Sequence, residues 1–126
     1  MSKIDFSDSE REIMEFLWAN NMQPVSLRHI THYFNDELNK NWKQQAIRVF
    51  LARLKEKGYL HIFVDTDTKK YVYLPTMTKK EYLHNMSKKI LGSFFNNSIY
   101  DFISAFSGGE KLSEEDAEEL KKFLNE

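Results

Sequence analysis

The chain contains no cysteine, which excludes disulfide stapling and thiolate metal sites and suits a reducing compartment. It has only two prolines and four glycines, so few positions force a helix to break. No apolar run approaches the roughly 20 residues that a membrane-spanning helix needs, and the N-terminus has no signal-peptide apolar segment. The expectation is a cytoplasmic protein without membrane insertion. Net charge is also nearly absent, with 18 Lys and Arg against 19 Asp and Glu, or −1 overall. A sum near zero decides little, because local charge governs the meeting with a polyanion.

Locally the charges separate. Between Lys40 and Lys57 stand six of the 18 basic residues and a single acid, Glu56. Residues 107–126 instead hold three basic and seven acidic groups. At 126 residues the chain has the size of one domain, or of a small domain with an oligomerisation element. Its hydrophobic content of 41% excludes wholesale disorder, and its shortness makes help from a partner subunit natural.

Helical periodicity dominates the first 57 residues. Ser7 and Glu10 have capping-box spacing ahead of Ile13, Met14 and Leu17, predicting a first helix that stops at Asn20-Asn21. Ser26 is a good N-cap for a second helix with its apolar face on Leu27, Ile30, Phe34 and Leu38. A third helix is predicted from Lys43 to Lys57, closed by Gly58. The period then changes to two, giving a hairpin of Tyr59–Val64 and Lys70–Leu74. Helices return after Thr78, from Ser98 to Phe106, and after Ser113. The fold class is mainly α with a small β-hairpin wing: a winged helix-turn-helix domain over 1–75, then a three-helix C-terminal dimerisation domain over 76–126.

In the third helix Ile47, Phe50, Leu51 and Leu54 share one face, while Gln44, Gln45, Arg48, Ala52 and Lys55 share the other. Gln pairs bidentately with adenine and Arg with guanine, and recognition helices read bases mainly with their first turns. Lys69 and Lys70, at the hairpin tip, suit a wing that reaches a phosphate backbone. The competing readings are a basic face that is merely solvated, with Lys55 and Lys57 complementing the helix C-terminus, and a winged helix that binds a protein.

The stretches "SDSEREIMEFLW", "VSLRHI", "WKQQAIRVFLARLKEKGYL" and "KYVYLP" resemble the penicillinase-repressor family, the BlaI/MecI/CopY-type winged-helix regulators. The resemblance runs from about Phe6 to Leu124 and implies a homodimeric transcriptional repressor that binds a double-stranded DNA operator. It implies base reading by Gln44, Gln45, Ala46 and Arg48, and phosphate contacts by Ser26, Trp42, Lys43, Lys55, Lys69 and Lys70. It further implies release of the operator by a membrane sensor protease system. The family's scissile Asn-Phe bond falls on Ala105-Phe106, where the Phe matches and the Asn does not. Copper-responsive members carry Cys-x-Cys motifs, which this chain lacks. Lys43 also stands where the family usually has a Ser or Asp cap, and the operator sequence is not carried over.

The C-terminal helices carry a large apolar load: Tyr82, Leu83, Met86, Ile90, Leu91, Phe94, Phe95, Ile99, Phe102, Ile103, Phe106 and Leu120. Short helices cannot bury that much surface against one another, so these residues are assigned to a dimer interface rather than to folding back in a monomer. His29 and His32, with Asp36 near, are weighed as a metal pair, but surface or partly packed rings are the expectation. A small-ligand or metal sensor remains a third option. Ser26, Ser87 and Ser93 have no His–acid company, no Gly-rich phosphate loop is present, and no enzyme or cofactor is expected.

Overall fold

The computed structural model describes residues 6–126; the first five residues of the expected 1–75 domain lie outside the described residues. The element order is α1 (Asp8–Trp18), β1 (Val25–Ser26), α2 (Leu27–His32) with a π-helical turn (Tyr33–Glu37), α3 (Gln44–Glu56), β2 (Leu60–Val64) and β3 (Tyr71–Pro75). After these come α4 (Lys79–Phe94), α5 (Ile99–Phe106) and α6 (Glu114–Leu124). The described residues form two compact units, 6–84 and 85–126, divided inside α4.

In the first unit local chemistry sets the helix ends. Glu10 N–H donates to Ser7 Oγ at 3.2 Å and Ser7 N–H donates to Glu10 Oε1 at 2.9 Å, closing the capping box of α1. At the other end of α3, Gly58 at φ 90° lets Tyr59 N–H reach Leu54 O at 2.9 Å and Gly58 N–H reach Lys55 O at 2.9 Å. This is the paired closure that a left-handed residue permits, and any side chain at Gly58 would be strained there.

Ile13, Met14 and Leu17 of α1, Ile30 and Phe34 from α2 and its π turn, and Ile47, Leu51 and Leu54 of α3 make the core, with Val25, Leu60 and Tyr73 from the strands. The sheet has three strands in the order β1-β3-β2, all antiparallel, with Val25 opposite Tyr73 and Val64 opposite Tyr71. The hairpin was expected; β1 was not. Two residues give no alternation to read, and β1 exists because β3 offers its free edge.

The second helix also departs from expectation. Leu38 N–H donates to Tyr33 O at 3.1 Å, so this turn holds one residue more than an α turn. The shift takes Leu38 off the inward face, leaving it 45% exposed, while Tyr33 stacks on Phe16 at 4.2 Å. Expected as core, Leu38 is surface.

Tyr82 closes the first unit. Its ring is 7% exposed and stacks on Phe6 at 4.9 Å, with Trp18 and Tyr59 beside it. It was assigned to the dimer face, but its ring is core of this unit. In the 85–126 unit no described residue is buried. Asn96 and Asn97 turn the chain at φ 52° and 63°, Ser98 accepts from Asp101 N–H at 3.0 Å to start α5, and Ser113 caps α6. Phe95 meets Phe102 edge-on at 5.4 Å, yet Phe94, Ile99, Phe102, Phe106, Phe123 and Leu124 stay exposed.

Candidate nucleic-acid interface

The start of α3 is fixed from behind. Lys43 is its N-cap and makes no side-chain cap bond, so the helix is held by other means. Asn35, in the π turn, accepts Trp42 N–H at 2.7 Å and donates its amide to Trp42 O at 2.7 Å. The Trp42 ring stacks on Phe34 at 4.9 Å and meets Phe50 edge-on at 5.5 Å. This amide clamp replaces a capping side chain. Sequence reasoning missed it, because an Asn seven residues before its partner carries no local signature.

With the helix so held, Gln44, Gln45, Arg48, Ala52 and Lys55 are exposed, and Ala46 is half-buried between them and the core. The opposite face, Ile47, Leu51 and Leu54, is fully packed. The wing turn is set by Asp65, which accepts the Thr68 hydroxyl at 2.8 Å and pairs through its backbone with Lys69 and Lys70, each at 2.8 Å. Those Thr68 bonds hold the Asp65 carboxyl below its ordinary range. Lys69 takes φ 63°, so the tip lifts both lysines into solvent.

Between α3 and the wing lies a cleft of about 710 Å³. It brings together Ser26, Gln44, Arg48, Lys69 and Lys70 of the expected residues. It does not include Gln45, Ala46, Trp42, Lys43 or Lys55. It adds Arg28, from the first turn of α2, Tyr71, which lies on β3, and Tyr73 beneath them. The Ser26 hydroxyl also accepts His29 N–H at 3.1 Å as the cap of α2. Burial pushes the Tyr73 phenol up, against the weaker pull of Arg48.

Among the described residues no carboxylate lines this cleft. Among the described residues Arg28, Arg48, Lys69 and Lys70 enter no ion pair. A second groove of about 470 Å³, beside α1, is lined by Glu12 and Glu15 as well as Arg11, a poor match for a polyanion. The histidines go elsewhere: His32 Nδ1 lies 2.7 Å from Asp36 Oδ2, and His29 meets the Phe16 ring edge-on.

The penicillinase repressor family model matches residues 6–126. The chain belongs to this family. The penicillinase repressor of Bacillus licheniformis is 30% identical over all of this chain and 94% of its own length. The methicillin resistance regulatory protein MecI of Staphylococcus aureus is 25% identical, over 96% of this chain and 94% of its own. The solution structure of the DNA-binding domain of the repressor BlaI matches with a TM-score of 0.50 at 25% identity, covering 65% of this chain and 94% of that domain. A crystal structure of a MepR mutant from S. aureus, at 18% identity, a TM-score of 0.50 and coverage of 96% and 76%, shares the fold. Membership in the penicillinase repressor family makes the chain a regulator and not an enzyme. Among the described residues no helix is long and apolar enough to cross a membrane.

Proposed function

We propose that the chain is a homodimeric transcriptional repressor that lays α3 in the major groove of a pseudo-palindromic DNA operator. The observation that carries this reading is the acid-free cleft between α3 and the wing, bordered by four cations without carboxylate partners among the described residues. Gln44, Gln45, Ala46 and Arg48 are the base readers, Arg48 as a guanine partner. Ser26, Trp42, Lys43, Lys55, Lys69 and Lys70 are the phosphate contacts, Trp42 being held in place by its stacking on Phe34. Repression is steric and needs no cofactor.

The DNA-binding part, expected over 1–75, extends to residue 84 with Tyr82 in its core, and the dimerisation part is residues 85–126 with the exposed Leu83 joined to it. The exposed Leu83, Phe94, Ile99, Phe102 and Phe106, with Met86, Ile90, Leu91, Phe95, Ile103 and Leu120 half-buried beside them, support a core completed by a second copy. The relatives named for penicillinase and methicillin resistance support beta-lactamase or related genes as targets. Induction is proposed as cleavage at Ala105-Phe106 through a membrane sensor protease system; both residues are exposed at the end of α5.

The test is selection of bound genomic fragments by the purified protein, with a salt titration on the best fragment. A palindromic consensus and a steep salt slope are expected, each neutralised phosphate contributing about 0.9 to the slope. No enrichment, or binding indifferent to salt, would return the winged helix to a protein partner.

A further inference from the structure

The cleft between α3 and the wing has apolar as well as cationic lining. It encloses about 710 Å³ above a floor that includes Leu51, Ile62 and Tyr73. Small-ligand sites span roughly 300–1,000 Å³, with apolar walls and a few convergent polar groups. Here the charged groups are of one sign: Arg28 from α2, Arg48 from α3, and Lys69 and Lys70 from the wing turn, with Ser26 and Gln44 as neutral polar company. The Tyr71 ring, 62% exposed, stands at the wing side of the opening.

An apolar floor under a cationic rim selects against two simple occupants. Inorganic phosphate would satisfy the rim and leave the floor wet. A neutral hydrocarbon would cover the floor and leave the cations unpaired. A flat ring bearing a carboxylate satisfies both, since guanidinium binds carboxylate bidentately and tyrosine rings favour edge or offset contact with another ring. We propose that this cleft binds a small aromatic carboxylate, and that its occupant competes with DNA for Gln44 and Arg48. The competition rests on the reading of α3 as the DNA-contacting helix; occupancy of the cleft does not. By linkage, a ligand that binds only the DNA-free protein lowers apparent operator affinity in proportion to its saturation.

The probe is 2-naphthoate, titrated into the full chain by calorimetry, with 2-naphthamide as its uncharged counterpart. One saturable site per chain is expected, with the acid bound at least about tenfold more tightly than the amide. Ala52→Trp fills the cleft from an exposed helix position and is expected to abolish naphthoate binding without changing the circular dichroism. Arg28→Gln with Lys69→Gln leaves the volume open and is expected to weaken binding by about tenfold through charge alone. Equal binding of acid and amide, or undiminished binding by both variants, overturns the proposal. The operator is then bound in rising naphthoate. Specific DNA binding that saturating naphthoate leaves unchanged also overturns it. Naphthoate binding by a chain that selects no DNA upholds the ligand site and sinks the operator reading instead.

Discussion

The Glu10 carboxylate, 1% exposed, accepts the Lys57 ammonium at 2.8 Å and so ties the first turn of α1 to the residue that ends α3. The same oxygen accepts Ser7 N–H at 2.9 Å. One side chain therefore caps one helix and anchors another. A charge buried this far stands only while it is paired and hydrogen-bonded.

The two halves of that pair are expected to fail unequally. The Lys57 side chain is 34% exposed and already reaches water, whereas that of Glu10 is 2% exposed. Glu10→Gln is expected to cost about 1–2 kcal/mol, and Lys57→Met about 2–4 kcal/mol, because the second leaves a buried carboxylate. Urea unfolding of both variants measures the order; a larger loss for Glu10→Gln would contradict it.

The same pair sets a dependence on acid. Burial pushes the Glu10 carboxyl up, but Lys57 and Ser7 together outweigh it and hold the group below its ordinary 4.5. A depressed carboxyl contributes stability above its unfolded value and loses it as pH falls through the folded one. Wild-type stability is therefore expected to decline below about pH 4.5, and the Glu10→Gln curve to be flatter over that range. Parallel curves from thermal melts would remove Glu10 as the cause.

What could be read in the sequence was what is local. Ser7 with Glu10, Thr78 with Glu81, Ser98, Ser113 and Gly58 all mark helix ends, because each acts within about a turn of itself. β1 was illegible because Val25 and Ser26 become a strand only when Tyr73 and Val72 arrive from far along the chain. The π turn and the Asn35–Trp42 clamp escaped for the same reason: they answer to packing on Phe16 and Phe34, not to propensity. Gln44, Arg48, Lys69 and Lys70 were found from the helix face and the hairpin tip, and the tertiary fold then brought Arg28 of α2 and Tyr71 of β3 to them.

The proposed base reading and phosphate holding separate by substitution. Arg48→Ala is expected to cost roughly 1–3 kcal/mol on the preferred operator and much less on random DNA. Lys70→Gln is expected to weaken both alike and to lower the salt slope by about one phosphate per subunit. Fluorescence anisotropy on both DNAs across a salt series distinguishes them, and equal losses for Arg48→Ala on both DNAs would remove its base-reading role.

Dimerisation is testable at Ile99, which is 68% exposed in the first turn of α5. Aspartate there suits the helix start, so Ile99→Asp leaves α5 intact while placing charge on the apolar face. Sedimentation is expected to show single chains at concentrations where the wild type is paired. Operator affinity is expected to fall by about 100-fold as two linked half-site contacts become one. A variant that still sediments as a pair would move the interface away from α5.

The unit after residue 84 has helices with caps and turns but, among the described residues, no interior of its own. If a second copy supplies that interior, the number of molecules per cell becomes a structural variable. Dilution then acts on this segment as a denaturant does, and plenty acts as a chaperone. A promoter held by such a dimer would measure the abundance of its own guardian: with the chain scarce, the unit after residue 84 would loosen first, whatever the state of the unit before it.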